Sequence, residues 1–131
     1  MPSTLIEVRR AYSQEQEVQL IEAVQAALVE GFKIPAEDRC VRLIAYEPHR
    51  FIAPTRLTEP DRYTVVTVSA FAGRTLEAKR RLYQGLVQRL GEMAIPADHV
   101  KIILNEVARE NWGLRGGVPA SEIDLGFKVD V

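Results

Sequence analysis

Ile34-Pro35-Ala36 recurs as Ile95-Pro96-Ala97, 61 residues further along the chain. The tripeptide is short, but its surroundings repeat with it. At the same offset the strand-like segment 3–8 overlays 63–71, and the helix-patterned stretch 14–30 overlays 75–91 without a gap. Each half reads as strand, helix, strand, a unit whose two strands run parallel through a crossover helix. Two such units predict an α/β (α+β sandwich) fold. It is a duplicated β-α-β unit, with one four-stranded mixed sheet and two helices on one face. They also predict one domain over residues 1–131, with pseudo-repeats at 1–61 and 62–131.

Local signals place the elements. Ser13 reads as an N-cap with Gln16 in capping-box position, opening a helix over 14–30. Val18, Ile21, Val24, Ala27 and Leu28 form its apolar face, and Gly31 is the expected stop. Residues 34–38 form a turn and 40–47 a second strand. The stretch 48–62 holds Pro48, Pro54 and Pro60 and reads as an irregular loop with a short edge strand near 50–53. Residues 63–71 carry the strongest strand pattern. Thr75 caps a helix over 76–93 with Leu82, Leu86 and Leu90 along one face. Residues 99–107 form another strand, with His99 at its start, and 127–131 a last strand-like segment. Gly116-Gly117 reads as a flexible loop, and Lys79-Arg80-Arg81 as a solvated helix face. The strands are apolar on both sides, so the helix-free face of the sheet predicts an oligomer.

Composition narrows the function. With 131 residues and a net charge of -1, the chain is no generic binder of nucleic acid or membrane surfaces. The single cysteine, Cys40, excludes an internal disulfide, and two histidines make a His-based metal site improbable. No signal peptide and no run of 18 apolar residues is visible, which predicts a cytoplasmic protein. Met1-Pro2 supplies a conditional group. Once Met1 is removed, Pro2 carries a free secondary amine at the chain terminus. An ordinary α-amino group titrates near ~7.7–8.0. Burial and nearby cations would favour its neutral form, a general base or nucleophile at neutral pH.

The repeat, the Met-Pro start, Gly73-Arg74-Thr75 before the second helix, and Asn111-Trp112-Gly113 followed by Gly116-Gly117 together resemble the tautomerase superfamily. Ile34-Pro35-Ala36-Glu37-Asp38-Arg39 resembles the Val-Pro-x-x-Asp-Arg turn of its malonate semialdehyde decarboxylase-like branch. Gly73-Arg74-Thr75-Leu76-Glu77 resembles that branch's Gly-Arg-Thr-Glu-Glu turn. The resemblance covers nearly the whole chain. It implies a catalytic amino-terminal proline at Pro2, a homotrimer, a carboxylate at Asp38 that positions water or assists the proline, and an active-site arginine at Arg74. The branch's other arginine would fall at Ala72. Arg39, Arg42, Arg50, Arg56 and Arg115 are the candidates to replace it in space.

The chemistry expected is a proton relay. Neutral Pro2 takes a proton from carbon or from an enol oxygen and returns it elsewhere. Arg74 holds the carboxylate of a 2-oxo or 2-hydroxy-enoic acid. Trp112 offers an apolar wall, Asn111 lines the pocket or caps a turn, and no metal or organic cofactor is required. Plain alternatives stand beside these roles: Asp38 as a turn former, Arg74 as a solvated cation, Trp112 as core or interface. Three functions follow: a tautomerase (isomerase), a decarboxylase or hydratase of malonate semialdehyde type, and a non-catalytic trimeric binding protein.

Overall fold

The computed structural model describes residues 2–10 and 12–131. Its elements are β1 (Ser3–Val8), α1 (Gln14–Phe32), β2 (Val41–Ala45), β3 (Thr64–Phe71), α2 (Leu76–Gly91) and β4 (Val100–Val107). The four strands form one mixed sheet in the order β2-β1-β3-β4. β1 runs parallel to β2, and β3 parallel to β4. The centre is antiparallel, with Ser3 opposite Ser69 and Val8 opposite Thr64. This is the sheet-and-two-helix sandwich that the repeat predicts.

Both helices begin as their caps dictate. Ser13 and Gln16 exchange the two bonds of a capping box, satisfying two otherwise orphaned N–H groups. Thr75 Oγ1 accepts from the Ala78 N–H at 3.1 Å. The end of α1 departs from expectation. The helix passes Gly31 and stops at Phe32, and Lys33 takes the left-handed φ of 56°. Ala94 does the same after α2, with φ 65°. Each left-handed residue precedes a buried isoleucine, Ile34 at 4% and Ile95 at 1% exposure. After each isoleucine the turn closes with one bond: Asp38 N–H to Pro35 O at 3.0 Å, and His99 N–H to Pro96 O at 2.9 Å. His99 therefore ends a 3₁₀ turn and does not begin the strand.

The core lies between the helices and one face of the sheet. Ile6 and Val8 of β1 and Val66, Val68 and Ala70 of β3 meet Leu20, Val24, Leu28 and Phe32 of α1 and Leu82, Leu86 and Leu90 of α2. Full burial of such a leucine or phenylalanine contributes about 1.5–3 kcal/mol. Val18 was expected on this face but is 51% exposed, and Leu20 turns inward instead. Gly31 has a different role from helix stop. A Cβ there would stand 2.8 Å from Leu82 Cα, so its absence lets the two helix backbones approach. Arg81 adds a bond from Nη2 to the Gly31 carbonyl at 3.3 Å. That residue and Lys79, bonded to Glu106, remove two members of the 79–81 run from a purely solvated face.

The other face of the sheet is mixed, not apolar throughout. Strand alternation turns Ser3, Leu5 and Glu7, Arg42 and Ile44, and Lys101, Ile103 and Asn105 outward. Ile44 and Ile103 are each 44% exposed. Phe51, Ala53, Leu57 and Tyr63 pack on Val65 at one end. Residues 48–50 form a 3₁₀ turn, and no edge strand occurs at 50–53. At the other end Ala120 and Val129 pack on Phe71. Residues 127–131 form no strand; Phe127 and Val129 anchor the tail by packing. Gly116-Gly117 is a tight turn joining β5 (Gly113–Leu114) to β6 (Val118–Pro119). Their φ values of 82° and 94° are ones that glycine adopts without strain.

Gly31→Ala tests the helix contact. Helix propensity alone would favour alanine by about 1 kcal/mol. The clash with Leu82 backbone reverses the sign, for a net loss of roughly 1–3 kcal/mol by urea denaturation. Unchanged or increased stability would contradict the close approach.

Candidate active site

One end of the sheet gathers the chemistry. Pro2 is buried just ahead of β1. The Thr4 N–H bonds to the Cys40 carbonyl at 2.9 Å, tying the start of β1 to the segment that follows Asp38. Antiparallel pairing brings the start of β1 to the end of β3, where Ser3 faces Ser69. β3 ends at Phe71 beside Val107, the end of β4. Gly73, at φ 122°, turns the chain so that Arg74 directly precedes the Thr75 cap of α2.

Arg74 is 5% exposed. Its Nη1 donates to the Phe71 carbonyl at 3.2 Å, and its guanidinium carbon lies 4.3 Å from the Phe32 ring centroid. Nε and Nη2 are buried without a hydrogen-bond partner. Burial pushes its pKa down to about 10, with Arg109 pushing the same way and Asp38 and Glu106 opposing. The group is still a cation at neutral pH. Its unused Nε–H and Nη2–H form a planar edge that matches the two oxygens of a carboxylate. This is no solvated helix-start cation.

Asp38 is half-buried at the end of its turn. The turn is held by Gln25, 4% exposed, whose Nε2 donates to Ala36 O at 3.4 Å and Asp38 O at 3.2 Å. Gln25 was missed in the sequence; its signal is a lone amide beside the apolar positions 24, 27 and 28. Trp112 is half-buried and meets Phe71 edge-on, centroids 5.0 Å apart. Asn111 is exposed on the 3₁₀ turn that leaves β4. Glu106 accepts from Lys79 Nζ at 2.9 Å, which with the Gly73 N–H holds its carboxyl below the usual range.

A second cation acts electrostatically on Arg74. Arg39 pairs with Glu22 at 2.5 Å, and Arg42 donates to Ser3 Oγ at 2.8 Å. Arg50 and Arg56 lie in the 48–62 loop, Arg56 being 4.0 Å from Asp98. Arg115 sits on the β5–β6 turn. The cation is Arg109, on the same 3₁₀ turn as Asn111, with its guanidinium carbon 5.9 Å from the Phe71 ring centroid.

The arrangement supplies a buried guanidinium edge, aromatic side chains, and the carboxylates of Asp38 and Glu106. Among the described residues no group of three or more His, Cys, Asp or Glu is placed to hold a metal ion, and no helix is long and apolar enough to cross a membrane. Met1, whose removal a Pro2 amine requires, lies outside the described residues.

Arg74→Met tests the buried edge. A thioether keeps the contact with Phe32 while removing a half-satisfied buried cation. The ligand-free protein should gain about 1 kcal/mol and melt roughly 3–5 °C higher. Carboxylate binding, read by calorimetry, should fall roughly 100-fold. Loss of stability with binding intact would contradict this reading of Arg74.

Known proteins share this fold. A family described as tautomerase enzyme matches residues 38–115. A probable tautomerase of Ralstonia nicotianae is 36% identical over 58 residues, 44% of this chain and 81% of that protein. FG41 malonate semialdehyde decarboxylase, solved with the inhibitor 3-bromopropiolate, superposes with a TM-score of 0.79 at 29% identity, covering 92% of this chain and 97% of that one. A fused 4-OT solved as an asymmetric trimer gives 0.81 at 21% identity, with 92% and 97% covered. The family match spans more than half of the residues and runs from Asp38 through Arg74 to Trp112, and on it the chain belongs to the tautomerase family.

Proposed function

We propose that this protein is a cofactor-independent tautomerase acting on a small 2-oxo or 2-hydroxy-enoic acid, with Pro2 as general base and acid once Met1 is removed. The observation that carries the reading is the unpartnered Nε/Nη2 edge of buried Arg74, at the sheet end where β1 begins. A substrate carboxylate would bridge that edge. The Pro2 nitrogen takes a proton from C3, the C–H electron pair becomes the enol double bond, and the carbonyl oxygen gains charge. Returning the proton to that oxygen gives the enol, and the reverse sequence gives the keto form. Cations at Arg74 and Arg109 favour the neutral amine and the developing enolate alike. Asp38 orients the amine or a water. Trp112 and Phe71 keep the site dry.

Two features favour a decarboxylase or hydratase as the second reading. One is the Asp38 carboxylate, whose charge acts on Arg74. The other is the likeness to FG41 malonate semialdehyde decarboxylase at 29% identity. A homotrimer suits either reading, because the exposed Ile44 and Ile103 leave apolar area on the open sheet face and the fused 4-OT is a trimer.

Intact mass and an ultraviolet assay of phenylpyruvate enol–keto conversion test the proposal together. The expected result is protein lacking Met1 that catalyses the conversion, with Pro2→Ala slower by roughly 10²–10⁴. The pH profile should rise through a pKa below the ~7.7–8.0 of an ordinary α-amino group. Equal activity in Pro2→Ala would overturn the role of Pro2. Carbon dioxide release from malonate semialdehyde with no phenylpyruvate turnover would select the second reading. Retained Met1 would favour a binding protein.

A further inference from the structure

We infer that Gln25 is a positioning residue for Asp38: its buried amide fixes the backbone of the turn and so sets where the Asp38 carboxylate stands toward Pro2. The inference rests on the proposed role of Asp38 in orienting the amine or a water, and it deepens that reading.

The geometry is specific to an amide. Gln25 projects from the middle of α1 and is 4% exposed. Its Nε2 carries two N–H donors, and two carbonyls receive them, Ala36 O at 3.4 Å and Asp38 O at 3.2 Å. Asp38 is therefore held at both ends, its N–H by Pro35 O at 3.0 Å and its C=O by Gln25. Two residues on, Cys40 O accepts from the Thr4 N–H at 2.9 Å, and Thr4 lies two residues after Pro2. From that bond β1 and β2 run parallel. Gln25 thus braces Asp38 from the helix side, while β1, which follows Pro2, holds the same segment from the sheet side.

The repeat supplies an internal control. The turn after α2 has the same Ile-Pro-Ala sequence and closes by the same bond, His99 N–H to Pro96 O at 2.9 Å. Yet the matching position of α2 carries no amide. Counted from the caps Ser13 and Thr75, the counterpart of Gln25 is Val87; counted by the 61-residue repeat, it is Leu86. Either way it is apolar, so this turn forms without a glutamine behind it. Burying a side-chain amide carries a desolvation cost that its hydrogen bonds only roughly offset. The half that bears Asp38 keeps the amide, and the half with His99 in the matching place does not. Fixing Asp38, not closing the turn, is what sets the two halves apart.

Steady-state kinetics on phenylpyruvate, or on malonate semialdehyde if that is the substrate turned over, separate positioning from structure. Gln25→Met and Gln25→Leu put an apolar side chain at this position, as α2 does. Ala36 is exposed and Asp38 half-buried, so water can take over the two carbonyls. Each variant should melt within about 4 °C of wild type. Each should lower kcat about tenfold and leave KM within about twofold, because Arg74 still anchors the carboxylate. Asp38→Asn should lower kcat by roughly 10²-fold. Adding Gln25→Met to Asp38→Asn should change kcat by no more than about twofold, the mark of a residue that acts through another. Unchanged kcat in both Gln25 variants, or losses that multiply in the double variant, would overturn the inference and leave the proposed function standing. Unfolding of both variants would overturn it too, since the amide would then be holding the fold. If Asp38→Asn matches wild type, the role of Asp38 fails and the inference with it. If wild type turns over neither substrate, the proposed function and the inference fail together.

Discussion

The antiparallel pairing of β1 with β3 is the constraint on which the site depends. Within each half, strands pair in parallel across a helix, which leaves Pro2 and Asp38 in one half and Arg74 and Trp112 in the other. Only when Ser3 faces Ser69 does the beginning of the chain reach the end of β3. That pairing sets Pro2 beside the connection that carries Arg74. The parallel pair β3–β4 then brings Arg109 and Trp112 to the same end. A slip of one residue would turn Ile6 and Val66 out of the core, so the hydrophobic pattern that holds the register also holds the site.

Arg74 shows what the site costs the fold. A buried guanidinium with two unpartnered nitrogens is destabilising in the ligand-free protein. The contact with Phe32, the Phe71 carbonyl and the nearby charges of Asp38 and Glu106 offset part of it. Under the proposed function, the remainder would be recovered when a substrate carboxylate accepts from Nε and Nη2. The Phe32 ring, itself fully buried, covers the guanidinium that bears this cost.

Much of the fold was legible because each element carried its own signal. The capping box at Ser13, the leucine face of α2 and the valine run of β3 are local patterns, and local patterns survive folding. Gly31 was misread because a glycine near a helix end usually marks the stop, whereas here the missing Cβ serves the second helix. The 127–131 segment alternates like a strand, yet packing of Phe127 and Val129 holds it against Phe71. At the site, the Asp38 and Arg74 turns stood out as motifs. Arg109 did not, because its charge acts on Arg74 only through the pairing of β3 with β4, and no spacing in the chain encodes that. Gln25 was hidden for the same reason, since its partners lie in a later turn.

The most direct test is covalent capture of the amine by 2-oxo-3-pentynoate, which joins an anchoring carboxylate to an electrophilic alkynone. Conjugate addition forms one N–C bond, moves the amine proton to the reagent carbon and loses no group. The intact protein should gain the full mass of the reagent. Peptide mapping should find the adduct on the Pro2 nitrogen in protein lacking Met1, and Arg74→Met should slow its formation. An adduct on Cys40 or a lysine with Pro2 unmodified, or labelling at an unchanged rate in Arg74→Met, would contradict a site built from a free Pro2 amine and the Arg74 edge.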